Sequence, residues 1–246
     1  MPNPIFNEEV MQGETRYVSE KDVMTINGTM IKSFVLLAFV IASAAYTWLQ
    51  FSAGNMSLVK ILMYGGLAVG FISAMIAAFV KKASPIIAPI YSVAEGFFLG
   101  GISAMYNAEF GGIVFQAVTA TFAIFFVMLG LFMGRIIVVT EKLRWTIIAS
   151  TGAVALLYLV AFILSFFGIN TPIIHDATPF GIAFSIVVVG IAAFNLLLDF
   201  DIIEKCANSL VPKYMEWYCS FALMVTLVWL YIEVLRLLAK FYRSRD

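Results

Sequence analysis

Apolar positions along this chain gather in seven blocks, near 30–50, 57–80, 85–106, 111–134, 145–168, 179–200 and 216–240. Each block runs for roughly 20 residues, enough to cross a hydrocarbon core of about 30 Å as a helix. The pattern predicts an all-α polytopic membrane protein whose seven transmembrane helices occupy residues 30–240. The first 29 residues differ: Glu8, Glu9, Glu14, Glu20 and Asp22 outnumber Arg16 and Lys21, and Pro2 and Pro4 precede any apolar block. A secretory signal begins with basic residues followed at once by an apolar core, so 1–29 reads as a soluble acidic tail and not as a signal peptide. Residues 241–246 read as a short basic C-terminal tail.

Composition agrees with the pattern. At 62% hydrophobic residues, 12% charged residues and a mean hydropathy of +0.98, the chain lies outside the range of soluble domains. Basic residues set the expected orientation, because they favour the cytoplasmic side of short loops. With the N-terminus inside, Lys81, Lys82, Arg135, Lys142, Arg144, Lys205 and Lys213 all fall on inner loops or span ends. The outer loops around Asn107–Gly112 and Asn170–Thr178 carry no base. Arg236, Lys240, Arg243 and Arg245 run against this rule, so span seven either crosses in spite of it or is re-entrant and returns inside.

Ionisable residues within spans cost about 2.5–3.5 kcal/mol at a helix centre on insertion scales, and so mark candidate functional positions. Glu95, in YSVAEGFFLGG, lies about 15 Å into span three and has no base among its helical neighbours Tyr91, Ser92, Leu99 and Ile102. Glu233, in LYIEVLRLL, stands three residues before Arg236, the spacing of an intrahelical ion pair. Asp199 and Asp201 close span six in NLLLDFDIIEK. Two residues apart on a helix means roughly 200° of rotation, so they cannot share a face. Asp201 continues the face of Gly190, Phe194, Leu197 and Leu198, and Asp199 that of Ala192 and Asn195. Periodicity does not choose which face is interior, and headgroup contact at the helix end is the plain alternative for either.

Other features point to packing. Gly66/Gly70, Gly96/Gly100 and Gly130/Gly134 are GxxxG pairs of the kind that bring helices close. His175 is a single histidine beside Asp176, without ligand spacing. Cys206 and Cys219 form no obvious pair and read as free thiols on the reducing side rather than as metal ligands. P-loop, GxSxG, HExxH and dinucleotide signatures are absent, so no enzyme, organic cofactor or nucleic-acid partner is expected.

The run GIAAFNLLLDFDIIEK, Gly190 to Lys205, resembles the sixth-span signature of the Bax inhibitor-1 (transmembrane Bax inhibitor motif) family, with Phe200–Asp201 on its aromatic–Asp pair. The Lys81–Lys82 turn leading to YSVAEGFFLGGIS, and TLVWLYIEVLRLL, resemble the family's second-to-third-span passage and its last helix. The opening NPIF with LDFDIIE is most similar to the bacterial branch often labelled YccA-type. This resemblance implies a bundle with the last helix central, in a bacterial inner membrane, and a pH-sensitive calcium leak. It also implies a gate at the cytoplasmic end of span six in which two aspartates share a proton. Asp201 matches the first aspartate; the second position falls on Thr226, a departure from the pattern that Asp199, Glu95 or Glu233 would have to make good.

The expected site therefore takes Asp201, Asp199 and Thr226 as pH sensor and gate, with Asp201 facing the bundle and Asp199 an auxiliary charge. Glu95 and Glu233 mark the ion pathway, and Lys81, Lys82 and Arg236 are supporting bases. Asp201, Asp199 and Glu95 are the carboxylates that would ligate calcium, the permeant ion, in a file of oxygens. Partners under this reading are lipid, calcium and protons. Two further classes compete: a non-conducting regulator that binds another membrane protein such as a membrane protease, and a proton-coupled transporter using Glu95 as carrier.

Overall fold

The computed structural model describes residues 23–168 and 176–244. Most of the acidic tail, and His175, fall outside those residues. Seven helices long and apolar enough to span a membrane follow one another: α1 (Ile26–Ser52), α2 (Met56–Phe79), α3 (Ser84–Glu109), α4 (Ile113–Met133), α5 (Glu141–Phe166), α6 (Pro179–Asn208) and α7 (Met215–Arg243). A single 3-10 turn, Lys81–Ala83, joins α2 to α3. Each predicted block holds one helix, and α1, α3, α5, α6 and α7 run several residues past their apolar blocks at one end or both. Thr25, Thr140 and Thr178 cap α1, α5 and α6, their hydroxyls accepting from the backbone N–H of Gly28, Leu143 and Gly181. Span seven is one unbroken 29-residue helix, about 43 Å long, and not a re-entrant hairpin.

Short links hold the ends in register. Where α1, α3, α5 and α7 begin, hereafter the N-terminal mouth, Met24 N–H donates to the carbonyl of Val211 at 2.9 Å and ties the entry of α1 to the α6–α7 loop. At the opposite end Arg243 pairs with Glu109 at 2.8 Å and the Gln116 amide donates to the Tyr242 hydroxyl at 2.8 Å.

The last helix lies at the centre, packed against α1, α3, α4 and α6. Two GxxxG pairs do the close packing around it. A Cβ at Gly66 would strike the Ala94 carbonyl across the α2–α3 seam, and at Gly96 and Gly100 it would strike the Val40 and Ala44 backbone of α1. The third pair is not an interface: Gly130 has open space where its Cβ would stand, and Gly134 meets only its own helix and Ile136. Large apolar side chains such as Phe34, Phe71, Phe115 and Phe162 point outward from the bundle, as lipid requires of an integral membrane protein.

Helix α5 packs along α6 and is fastened by polar groups seven residues apart. Arg144, Thr151 and Tyr158 reach Asp201, Asn195 and Glu233 respectively. Ile147, Val154 and Ala161 form the buried apolar stripe beside them. In lipid, where apolar contact between helices has no advantage over contact with acyl chains, polar bonds of this kind hold a peripheral helix in place.

Candidate functional site

Asp199 and Asp201 divide the space around α6 between its neighbours. Their half-turn separation would send one carboxylate to lipid on a peripheral helix. Because α6 lies between α5 and α7, both carboxylates meet protein. Asp201, 8% exposed, accepts from Arg144 Nη2 of α5 at 2.6 Å and from Lys205 Nζ one turn on at 2.8 Å. It is a charge-paired residue near the mouth. Asp199 turns to α7, where its carboxyl lies near the Thr226 hydroxyl. Its other oxygen, Oδ2, is shut from solvent with no hydrogen-bond partner.

This arrangement corrects two expectations. Asp199 is not a headgroup-level charge, and Thr226 stands opposite Asp199 rather than Asp201. The position nine residues before the end of α6 puts Asp199 about 14 Å from the mouth; Thr226, eleven residues into α7, lies at about 16 Å, so the two meet at one depth. Thr226 also reaches its own helix, donating to the Ala222 carbonyl at 3.3 Å. A buried carboxyl oxygen without a donor is costly unless the group carries a proton or a cation comes to it.

The other predicted residues lie elsewhere. Glu95 leans on Gly70 in the α2–α3 seam and approaches the Tyr91 hydroxyl one turn before it. Helix α2 has no packing seam with α7. Glu233, 1% exposed, is saturated: the Tyr158 hydroxyl donates to both of its oxygens at 3.0 Å, Arg236 binds it at 2.9 Å and the Trp229 indole at 3.2 Å. The intrahelical pair read from its spacing is present, extended across to α5. Lys81 lies 5.3 Å from the Tyr218 ring centre, and Lys82 is exposed on the connecting turn. The calcium trio Asp201, Asp199 and Glu95 does not converge: among the described residues no three carboxylate, imidazole or thiol groups come together to hold a metal. The reason is geometric, since each of the three faces a different helix.

Residues that the sequence did not single out complete the mouth. Glu216, 1% exposed in the first turn of α7, accepts from the backbone N–H and hydroxyl of Thr25 at 2.9 and 3.0 Å and pairs with Lys32. Its carboxylate thus sits at the N-terminus of α1, where the helix dipole favours a negative charge. Gly28 leaves room for it, because a Cβ there would overlap the carboxylate. Cys206, half-buried in the last turn of α6, and Cys219, buried in the second turn of α7, are free thiols. A crevice of about 580 Å³ between α1, α3, α4 and α7 lies apart from these charges. Its polar members are spoken for: Ser103 and Tyr231 bond each other at 2.7 Å, and Thr121 bonds the Ala117 carbonyl. The rest of its lining is almost wholly apolar.

Comparison with known proteins adds a family. The model described as Bax inhibitor 1 like matches residues 3–243, nearly the whole chain, and the chain belongs to that family. No curated protein and no solved structure matches it.

Proposed function

We propose, taking membership of the Bax inhibitor 1-like family as the premise, that this chain is a pH-sensitive calcium leak of a bacterial inner membrane, its N-terminal mouth in the cytoplasm. The observation that carries the reading is the Asp199 carboxyl, turned to Thr226 of the central helix with one oxygen buried and unpartnered.

A protonated Asp199 donates to Thr226, whose own hydroxyl donates onward to the Ala222 carbonyl. That chain of bonds joins α6 to α7 about 14–16 Å in from the mouth and closes the route at that depth. Loss of the proton breaks that relay and leaves a carboxylate that the Thr226 hydroxyl alone cannot satisfy, its Oδ2 still without a partner, so that the site attracts a cation. Calcium then meets carboxylate oxygen where its hydration shell must be partly replaced. Asp201 serves the same gate differently: with Arg144 and Lys205 it fixes α5 and α6 at the mouth, so that the Asp199 side moves against a fixed wall.

The test is calcium entry into liposomes holding the purified protein and a trapped indicator. The reading expects entry above that of empty liposomes, slow at mildly acidic pH and faster toward neutrality. Entry equal to that of empty liposomes at every pH overturns it.

A further inference from the structure

Helices α1 and α4 share no packing seam, and the crevice of about 580 Å³ lies between them over a floor of α3 and α7. Its lining on α1 runs from Leu37 to Leu49, twelve residues or about 18 Å of helix. Leu49 lies near the end of α1 and Val114 near the start of α4, so the crevice begins at the face opposite the mouth. Its inner end is at Leu37 and Met224, about 16 and 14 Å in from the mouth. The crevice is therefore a slot that spans one leaflet, since half of a hydrocarbon core of about 30 Å is about 15 Å.

We propose that this slot is a lipid-binding site, taking one acyl chain of a diacyl lipid from the leaflet away from the mouth. Its rim is continuous with the lipid-facing surface, because Ile41 and Leu49 of α1 and Val118 of α4 line the slot and are exposed. The lining asks nothing polar of its occupant: Ser103 is paired with Tyr231, and Thr121 with its own helix. Trp48 stands at the outer end, the level at which indole rings meet lipid headgroups. The ester end of the acyl chain therefore lies beside Trp48 and its methyl end points to Met224. The volume falls among those of sites that enclose small molecules, about 300–1,000 Å³.

Acyl chains are as apolar as leucine, so the lipid is held by fit and not by escape from water. A gap left unfilled between α1 and α4 forfeits dispersion contacts along its walls, and an acyl chain threaded through it restores them on four helices at once. Leu227 and Tyr231 of the central helix, half-buried at the floor, take part of that contact. The methyl end rests at the depth of Thr226 but on another face of α7. The lipid thus braces the central helix at the level of the proposed gate, while the site itself stands whether or not the protein conducts calcium.

The test is photolabelling in bilayers. The protein is reconstituted with a trace of phosphatidylcholine carrying a diazirine at the methyl end of one acyl chain, irradiated, digested and mapped by mass. The expected result is label on Met224 and Leu227 of the central helix, moving to Trp48 and Val114 when the diazirine sits next to the ester. Ala45→Trp fills the slot from α1 and Val118→Trp from α4, both at positions exposed to lipid, where a larger side chain leaves the core undisturbed. Each should lower the label on Leu227 several-fold and keep that on Phe115, which points outward. Label confined to outward side chains such as Phe115, as when a second copy covers the slot, would overturn the proposal. So would label on Leu227 that both variants leave unchanged, or label there from a diazirine fatty acid but not from the lipid.

Discussion

Arg144 of α5 reaches Asp201 of α6 at 2.6 Å, and seven and fourteen residues further along α5, Thr151 and Tyr158 repeat the gesture toward Asn195 and Glu233. One heptad-spaced polar stripe therefore attaches a helix that is otherwise mostly exposed to lipid. The Arg144 side chain is 28% exposed and that of Asp201 11%, so the pair is neither free in water nor fully desolvated.

Arg144→Gln should lower stability by about 1–3 kcal/mol, less than the 3–5 kcal/mol typical of breaking a fully buried pair, because water and Lys205 still reach Asp201. The check is thermal unfolding in detergent, with Asp201→Asn and the double variant measured alongside. Non-additive losses are expected. Additive ones would mean that the two side chains do not act on each other.

The glycines offer a comparison within one motif type. Gly66→Ala should destabilise by about 1–3 kcal/mol, since its methyl group meets the Ala94 carbonyl across the α2–α3 seam. Gly130→Ala, with open space around it, should be neutral or stabilising by about 0.5–1 kcal/mol through helix propensity alone. Equal losses at both positions would contradict the packing described for α2 and α3.

Much of this architecture was legible because hydrophobic block length is a strong signal in a membrane protein: all seven helices fall on their predicted blocks. The site was less so. Spacing establishes that Asp199 and Asp201 point to opposite faces, but not that α6 has protein on both sides, which is a property of the packed bundle. The 144–151–158 stripe is different. A base, a hydroxyl and a phenol at heptad spacing in an apolar block can be read directly, and the stripe escapes notice when attention rests on carboxylates alone.

Glu216 should prove a structural anchor. Glu216→Gln keeps acceptors for Thr25 but removes the charge facing Lys32, and should cost about 1–3 kcal/mol; Glu216→Ala should cost about 3–5 kcal/mol, because Thr25 and Lys32 both lose their partner. Thermal unfolding in detergent measures both. An unchanged midpoint in the alanine variant would remove Glu216 from the link between α1 and α7.

The most direct measurement of the central claim is the pH dependence of calcium entry into liposomes for the parent chain, Asp199→Asn and Asp201→Asn. Asp199→Asn carries no titrating proton at the Thr226 contact, so its entry rate should stay nearly constant from mildly acidic to neutral pH, where the parent's rises several-fold. Asp201→Asn should keep the rise while losing stability, because its role is to hold Arg144 and Lys205. If Asp199→Asn retains the parent's pH profile and Asp201→Asn loses it, the sensor is the charge-paired aspartate at the mouth, and the gate assigned to Asp199 and Thr226 is contradicted.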